Sequence, residues 1–493
     1  MLNKTKIAVI GSGVAGIATA AHLARSGAEV HVFEKNNQIG GRARKFEANG
    51  FTFDMGPSWY WMPDVIDRFF DHFGKKTTDY FELVKLDPGF QMVFNESEPT
   101  AIPASWEELE DLFESIEPGA KNYLNKFMDE AEFKYNVGVK DLVYQPGLSI
   151  KELIRPDLII SVFKLQVFSS FHTHVRKFFT NPKLIALMEF PVLFLGAMPK
   201  QTPALYSLMN YTGLKVGTFY PMGGFNELVK AMVSVAQEQG AKFHVDSQVD
   251  NIFVNDNKAK GLTINNQFHE FDAVVGAADY NHVEQHLLPE QYRTYDKKYW
   301  DSRVFAPSCL LFYLGVDEKL EKLNHHNLFF DENLDQHAVE IYEKPEWPTK
   351  PLFYACCPSK TDDSVAPEGK ENLFVLMPIA PGLEDTDEVR EKYYNILLGK
   401  LESYTGQDIR SKVIYKRGYC VKDFELDYNA FKGNAYGLAN TLGQTANLKP
   451  KMKSSKVENL YYAGQLTVPG PGVPPSIISG EVCANQIIKK FKL

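Results

Sequence analysis

The sequence predicts an α/β fold in which a second, α+β domain is inserted into a domain of alternating strands and helices. Three observations support this prediction: a glycine-rich turn directly after the first strand, a glycine- and proline-rich turn before the last helix, and the length of the chain. A chain of 493 residues exceeds what one hydrophobic core usually serves, so we expect two domains. We place the first at residues 1–95, 215–295 and 430–493, and the inserted one at residues 96–214 and 296–429.

The first element is a βαβ unit. Residues Lys6–Lys35 read as a buried strand, a glycine turn, an amphipathic helix and a second strand that ends in an acid. In this pattern Gly11 allows a tight turn, Gly13 lets a pyrophosphate approach the backbone, and Gly16 lets the helix pack closely. Glu34 follows Gly16 by eighteen residues and can accept hydrogen bonds from a ribose. The pattern predicts a Rossmann-like dinucleotide site; a glycine turn without a ligand is the alternative.

A second glycine turn follows the βαβ unit. Gly40 and Gly41 precede Arg42, whose guanidinium is suited to bidentate phosphate contacts; a solvated surface arginine is the alternative. At this point the sequence resembles the superfamily of flavin-dependent amine oxidases and phytoene desaturases, in which a Gly-Gly-Arg motif follows the first βαβ unit. The resemblance implies FAD as the cofactor and a GR2-type flavoprotein domain with an inserted substrate-binding domain.

The resemblance continues to the end of the chain. Val249 matches a position that contacts the adenine in such proteins, and an edge strand without this role is the alternative. In the tail, a strand, a glycine-proline loop and a helix succeed one another, so we expect backbone N–H groups near Val473 to face the flavin. Many relatives carry an acid after Gly464 to hold the ribityl chain, whereas this sequence has Gln465.

The motifs and the resemblance together define a set of candidate cofactor-binding residues. These are Gly11, Gly13, Ala15, Gly16, Glu34, Lys35, Gly41, Arg42, Gly56, Pro57, Ser58, Val249, Gly464, Gln465, Gly472, Val473 and Pro474.

Within the superfamily, the sequence looks most like the bacterial phytoene-type carotenoid desaturases. The segments that carry this likeness are residues 51–61, 323–330, 433–438 and 468–480. It implies the desaturation of a C40 carotene, of the phytoene type or a later monocyclic or hydroxylated intermediate, by hydride transfer to flavin. A quinone or oxygen would then reoxidise the flavin. A carotenoid isomerase or oxygenase of the same family, a polar-amine oxidase and a non-catalytic isoprenoid carrier are the alternatives.

The composition agrees with an apolar substrate. Hydrophobic residues make up 44% of the chain and aromatic residues 13%, which is enough for a core and an oily cavity. The net charge of −9, without a basic block, argues against nucleic acid as a partner. Five cysteines without paired spacing favour a reducing, cytoplasmic compartment. We see no signal-peptide pattern and no apolar run long enough to span a bilayer, so we expect any membrane contact to be peripheral.

The stretch Leu158–Phe179 is the candidate for membrane contact. Its apolar residues recur at steps of three and four, with basic neighbours: Ile160, Phe163, Val167, Phe171, Val175 and Phe178, flanked by Lys164, Arg176 and Lys177. Such a helix can lie in the inner face of the cell membrane and admit a lipid-dissolved substrate. A core-facing helix is the alternative.

We assign no catalytic residue from the sequence. Loss of an allylic hydride leaves a cation whose neighbouring proton is very acidic, so a strongly tuned base is not required. His325 and His326 are weak candidates, as are Tyr60 and Glu189. We expect no metal site, because the histidines lack a convincing constellation of partners.

Overall fold

The computed structural model describes residues 4–94, 99–140, 142–147, 165–167 and 169–493. The strands are β1 Lys6–Ile10, β2 Glu29–Phe33, β3 Lys45–Ala48, β4 Phe51–Asp54, β5 Leu83–Lys85, β6 Phe90–Val93, β7 Thr100–Ile102, β8 Phe219–Pro221, β9 Lys242–His244, β10 Val249–Asn255, β11 Lys258–Ile264, β12 Gln267–Glu270, β13 Ala273–Gly276, β14 Ser308–Val316, β15 His326–Phe329, β16 Phe353–Cys356, β17 Glu371–Ile379, β18 Val413–Tyr419 and β19 Leu460–Tyr462. The helices are α1 Val14–Arg25, α2 Pro63–His72, α3 Trp106–Ile116, α4 Ala120–Lys140, α5 Phe171–Val175, α6 Pro182–Glu189, α7 Leu208–Asn210, α8 Asn226–Glu238, α9 Tyr280–His286, α10 Lys297–Asp301, α11 Leu334–Tyr342, α12 Asp387–Thr405, α13 Val421–Tyr428 and α14 Val473–Phe491.

The first sheet is parallel and has the strand order β19-β13-β1-β2-β9. Parallel strands covered by helices read as continuous apolar runs, and β1 and β13 are buried almost throughout. The sheet draws its strands from the beginning, the middle and the end of the chain, which confirms the predicted α/β, Rossmann-like class. A small antiparallel sheet of β10, β11 and β12 follows β9 in the chain.

Helices α1 and α14 pack directly against each other. A Cβ on Gly480 of α14 would meet the Ala15 carbonyl oxygen and the Ala18 Cβ of α1, each at 2.7 Å. The absence of a side chain therefore permits this close approach. Because the two helices also start at neighbouring parts of one cavity, their packing brings their N-termini to the same site.

The second sheet has seven strands in the order β18-β14-β17-β16-β15-β6-β7 and is mostly antiparallel. Strand β14, which lies between β18 and β17, is buried along its whole length. Strand β6 lies in the segment that we placed in the first domain, yet it pairs with β15 in this second sheet. The domain boundaries remain predictions.

The proposed membrane stripe needs correction where the structure describes it. Instead of one continuous helix, Ser170 caps a short helix, α5. Phe171 and Val175 of that helix are fully buried in an apolar core together with Phe127. The core-facing alternative therefore holds for these two residues. Residues 158–164, with Ile160, Phe163 and Lys164, lie outside the described part of the chain.

Among the described residues, none of the helices has both the length and the apolar character required to cross a bilayer. The cysteines Cys309, Cys356, Cys357, Cys420 and Cys483 are all buried and unbridged.

Candidate active site

A large cavity connects the glycine turns to the second sheet. The space open to the centre of a water molecule measures about 410 Å³. The cavity is lined at one end by the β1–α1 turn and the start of α14, and elsewhere by side chains of β14 to β17. All of the candidate cofactor-binding residues line it except Gly16. The structure therefore brings together residues that lie more than 450 positions apart in the chain.

The three motif glycines have different surroundings, each compatible with the role that the pattern predicts for it. Gly11 has a φ of +98°, in the left-handed region that glycine tolerates. A Cβ on Gly16 would meet the Gly11 carbonyl oxygen at 2.1 Å, so only glycine allows α1 to pack here. A Cβ on Gly13, by contrast, would meet nothing within 4 Å and would project into the open cavity. Gly13 therefore leaves space for a ligand rather than for a protein neighbour.

Glu34 directly follows β2, and its carboxylate accepts four hydrogen bonds. Its Oε2 accepts from Ser12 N at 3.1 Å and from Ser12 Oγ at 2.7 Å. Its Oε1 accepts from Asn36 N at 3.0 Å and from Asn36 Nδ2 at 2.9 Å. The carboxylate is buried and lines the cavity at the place predicted for a ribose, and a ribose hydroxyl would share or replace one of these four bonds.

Arg42 is buried beside the cavity rather than solvated. Its Nη2 donates to the Asn434 carbonyl oxygen at 3.1 Å, while its buried Nε has no partner. With its amide in the orientation that satisfies both atoms, Gln465 accepts from Arg42 Nη2 at 3.0 Å and donates to the Tyr436 carbonyl oxygen at 3.3 Å. Burial lowers the pKa of Arg42 from its ordinary value. A buried guanidinium with a free N–H is suited to an anionic ligand in the cavity.

The tail forms the opposite wall of the same end. Gly472, with a φ of +115°, precedes the first turn of α14, where Val473 and Pro474 line the cavity. The N-termini of α1 and α14 both carry partial positive charge toward this space. Gly464 has a φ of +114°, and its N–H donates to Ser479 Oγ at 2.9 Å. Val249, at the start of β10, lines the cavity close to the end of β2.

Lys35 has a contact that its sequence position does not reveal. Its Nζ donates to the Leu426 carbonyl oxygen and, at 3.1 Å, to Asn429 Oδ1. Both partners belong to α13 and the residue that follows it, and that helix forms part of the cavity wall. Lys35 therefore ties α13 over the nucleotide end of the cavity.

Sequence reasoning missed several residues of this cavity. Asp279 caps α9, accepts from His282 N at 3.1 Å, and has its pKa raised by burial. An acid directly after a strand and before a helix is a signal that could have identified it. Tyr428, whose ring lies 4.9 Å from the Arg42 guanidinium carbon, carries no such signal, because it comes from a distant helix.

The part of the cavity beyond the glycine turns is predominantly apolar. Its lining residues are Met55, Trp59, Trp61, Met62, Leu195, Met209, Cys309, Leu311, Leu328, Tyr354, Phe374, Leu376, Phe424, Ala435 and Tyr436. Such a surface offers shape and apolar contact, with few groups able to bind a charged or strongly polar ligand.

The four weak catalytic candidates have different surroundings. Glu189 is bound to Arg176 and lies 3.1 Å from His172 Nδ1, and it does not line the cavity. Tyr60 is fully buried with an unpartnered hydroxyl, in the core of the first domain. His325 and His326 lie behind the apolar wall of the cavity and are described further below.

The prediction that no metal binds stays a prediction. His325, His326 and Cys356 do converge, with potential ligand atoms within 4.8 Å of one another. Hydroxyl groups occupy both histidine Nδ1 atoms, at 2.7 Å from Thr361 and 2.6 Å from Tyr354. We therefore assign these residues to a hydrogen-bond network.

These observations fit a dinucleotide cofactor that ends in an apolar chamber. Gly13 leaves room for phosphates, two helix N-termini face this space, Arg42 has a spare donor, and the Glu34 carboxylate lines the cavity at the end of β2. The class of protein that the fold and the site define is a dinucleotide-dependent oxidoreductase.

Comparison with known proteins identifies the family. Residues 14–488 match the family described as flavin containing amine oxidoreductase. A carotenoid 3,4-desaturase from Haloarcula japonica is 41% identical over 489 residues, which is 99% of each chain. A 4,4'-diapophytoene desaturase from Staphylococcus haemolyticus is 32% identical over 499 residues, again 99% of each chain. Among solved structures, putrescine oxidase bound to putrescine shares the fold, with a TM-score of 0.64, 14% identity and 99% coverage of each chain.

The chain belongs to the flavin containing amine oxidoreductase family. It is an FAD-dependent oxidoreductase, as the motifs predicted.

Proposed function

We propose that this enzyme desaturates a carotenoid: it removes a hydride and a proton from adjacent carbons of a C40 polyene and leaves a new double bond. A later intermediate, whose polyene is already extended, is the preferred substrate over phytoene itself, because the 41% identical relative is a 3,4-desaturase. The observation that carries the proposal is the apolar chamber that continues from the nucleotide end of the cavity.

The chamber suits a hydrocarbon for a physical reason. Leu311, Leu376, Tyr354 and Leu328 come from the four neighbouring strands β14, β17, β16 and β15, so one sheet face presents a continuous, largely apolar wall. A polyene gains free energy from leaving water, in proportion to the area that it buries, and has no charge to be held by polar groups. A polar diamine would lose its hydration in this chamber without gaining partners.

The protein holds and orients the reactants, and the flavin supplies the redox chemistry by accepting a hydride when it is bound. Gly13, Glu34 and Arg42 would hold the phosphate and ribose part. The N–H of Val473, at the start of α14, would face the flavin ring and stabilise negative charge there, since Pro474 and Pro475 have no N–H. The apolar lining of the chamber excludes water, which protects the substrate cation from addition of hydroxide.

Location and electron acceptor belong to the same proposal. A substrate dissolved in lipid requires access from the membrane, so we propose peripheral association with the inner face of the cell membrane. A quinone in the same membrane, or oxygen, reoxidises the flavin.

The decisive experiment is expression in cells that accumulate phytoene and, separately, in cells that accumulate lycopene or a monocyclic carotene. We expect a product two hydrogen atoms lighter, with red-shifted absorption, in the second background, as measured by pigment chromatography and mass spectrometry. A Gly13→Val variant is the matched control, because it fills the cofactor space without a clash in the protein. A product of unchanged mass identifies an isomerase, and one that has gained oxygen identifies an oxygenase; either would overturn desaturation.

A further inference from the structure

The apolar chamber contains one polar connection that the redox chemistry leaves unused. Tyr354, on β16, lines the chamber, and its hydroxyl oxygen lies 3.0 Å from Ser58 Oγ. The same oxygen lies 2.6 Å from His326 Nδ1 on the neighbouring strand β15. Ser58, Tyr354 and His326 therefore form a continuous hydrogen-bonded chain that runs from the chamber into the protein.

His326 is placed in an environment that keeps its ring neutral and able to accept a proton. It is fully buried, its ring stacks on Trp59 with 4.1 Å between the centroids, and burial lowers its pKa well below 6.5. The ring is therefore neutral and has one basic nitrogen. Nδ1 is the nitrogen bonded to the Tyr354 hydroxyl, and Nε2 has no partner. In the tautomer in which Tyr354 donates this bond, Nδ1 is the basic nitrogen and Nε2 carries the hydrogen.

A second, small cavity adjoins the hydrogen-bonded chain of Ser58, Tyr354 and His326. The space open to the centre of a water molecule is about 20 Å³, enough for one water. Ser58 lines both this cavity and the large chamber, and Asp54, Tyr220 and His325 also face the small one. His325 is buried with an unpartnered Nε2, and the Asp54 carboxyl, whose pKa burial raises to about 6, can exchange protons near neutral pH. Ser58, at one end of the hydrogen-bonded chain, therefore connects the chamber to a water-sized space that titratable groups also line.

A second tyrosine of the chamber provides a comparison. Tyr436 is also buried beside the cavity, but its hydroxyl is coupled to the thiol of Cys309. Burial raises the pKa of that thiol to about 12, so it is a neutral group with little basicity. Tyr354 also has a thiol neighbour, Cys356, but only Tyr354 has an imidazole bonded to its hydroxyl as well, so of these two tyrosines it is the one that can pass a proton on.

We propose that Tyr354 is the catalytic residue that accepts the proton lost in desaturation, and that His326 is the positioning residue that relays it. The inference rests on the proposed desaturase function. The carbon that gives up hydride loses that hydrogen with its bonding pair to the flavin. The C–H pair of the adjacent carbon becomes the new π bond, and its proton goes to the Tyr354 oxygen while the tyrosine proton moves to His326 Nδ1. The substrate loses two electrons and two hydrogens in total.

The test compares Tyr354→Phe and His326→Gln with a matched control, Tyr393→Phe. Tyr393 is also buried, and its hydroxyl donates to the Pro348 carbonyl oxygen at 2.7 Å, away from the cavity. We expect Tyr354→Phe and His326→Gln to slow desaturation by about 100-fold, the lower end of what a positioned base contributes, and the control to match the wild type. Because the pair acts as one unit, we expect the double variant to resemble each single one.

Isotope effects distinguish proton transfer from a structural role. With substrate deuterated at one or the other carbon of the new double bond, we expect the wild type to show its main effect at the carbon that gives up hydride. In Tyr354→Phe, the effect should move to the carbon that loses the proton, because that step becomes slow. Histidine ¹⁵N NMR of the flavin-loaded protein without substrate gives a separate readout, in which His326 Nδ1 accepts a hydrogen bond in the wild type and not in Tyr354→Phe.

The outcomes separate this proposal from the one on which it rests. A wild type that forms no desaturated product from any carotene overturns both. An active wild type whose Tyr354→Phe variant keeps the rate and the isotope pattern overturns the relay alone, as does an NMR spectrum in which Nδ1 accepts no bond. If His326→Gln loses its flavin or its cooperative unfolding, Tyr354→Phe, which removes only one oxygen, decides the question.

Discussion

The two ends of the large cavity are built in different ways. At the nucleotide end, Gly11, Gly13 and Glu34 lie within one continuous βαβ segment, and their roles follow from local backbone geometry. At the apolar end, neighbouring side chains such as Leu311 and Leu376 come from paired strands that are far apart in the chain. The first end is defined by a motif, and the second by the pairing of a sheet.

This difference explains why the two ends tolerate change differently. The backbone positions of the nucleotide end are fixed by close contacts, so the effect of a substitution depends on whether its Cβ meets protein or ligand space. The apolar end depends on total shape, and cores keep their fold through volume-conserving apolar exchanges. The predictions below test the comparison in order of decreasing effect.

The largest expected effect separates Gly13 from Gly16. Gly13→Val should abolish FAD binding, while changing the free energy of unfolding of the flavin-free protein by less than about 1 kcal/mol, because the new side chain enters only the cofactor space. Gly16→Val should prevent folding, since its Cβ would meet the Gly11 oxygen at 2.1 Å. Flavin absorbance after gel filtration and circular dichroism measure the two effects.

The control for Gly13→Val is Gly443→Val. Gly443 also has nothing within 4 Å of a Cβ, and it lies outside the cavity. A Gly13→Val protein that still contains stoichiometric flavin would contradict the assignment of this space to the cofactor.

An intermediate effect concerns Glu284 and the pH dependence of the free energy of unfolding. Glu284 is fully buried, accepts from Thr294 N and Tyr295 N at 3.0 Å each, and accepts from the Tyr462 hydroxyl at 3.2 Å. Burial raises its pKa from 4.5 to about 7. Between these values the folded protein keeps a proton that the unfolded chain releases, so stability should fall as pH rises from about 4.5 to about 7.

The expected loss of stability from Glu284 is about 3 kcal/mol over this range, and it should be absent from Glu284→Gln. Urea unfolding at several pH values, with wild type and variant compared, measures it. The exposed Glu290→Gln should keep the wild-type slope. A Glu284→Gln protein with an unchanged slope would show that this carboxyl does not hold its proton in the fold.

The smallest expected effect concerns α13, which Lys35 holds against the nucleotide end of the cavity. Lys35→Met removes the bonds to the Leu426 carbonyl and Asn429. We expect FAD binding to weaken by about fivefold, which corresponds to about 1 kcal/mol, because both bonds support α13 rather than the cofactor itself. Fluorescence titration of FAD measures it, with Lys45→Met, which breaks an exposed pair with Glu47, as the control. A loss of 100-fold or more would instead indicate that the ammonium binds the cofactor directly.

The sequence by itself determined the nucleotide end of this protein. The roles of Gly11, Gly13 and Gly16 and the position of Glu34 could be predicted, because each depends on neighbours within one βαβ unit. The distant tail residues Gly464 and Val473 could be proposed in the same way, since a strand, a loop and a helix leave their own local pattern, and both line the cavity. The fold class followed for the same reason.

Only the tertiary structure decided what lies at the other end. The contact of Tyr354 with His326 joins two antiparallel strands, and that of Lys35 with Asn429 joins residues almost 400 positions apart. From its pattern, the apolar stripe around Phe171 likewise fits either a membrane surface or a protein core. In the structure Phe171 shares a buried cluster with Phe127, so the core interpretation holds at this residue. Periodicity shows which face of a helix is apolar, but what covers that face depends on the packing of the whole chain.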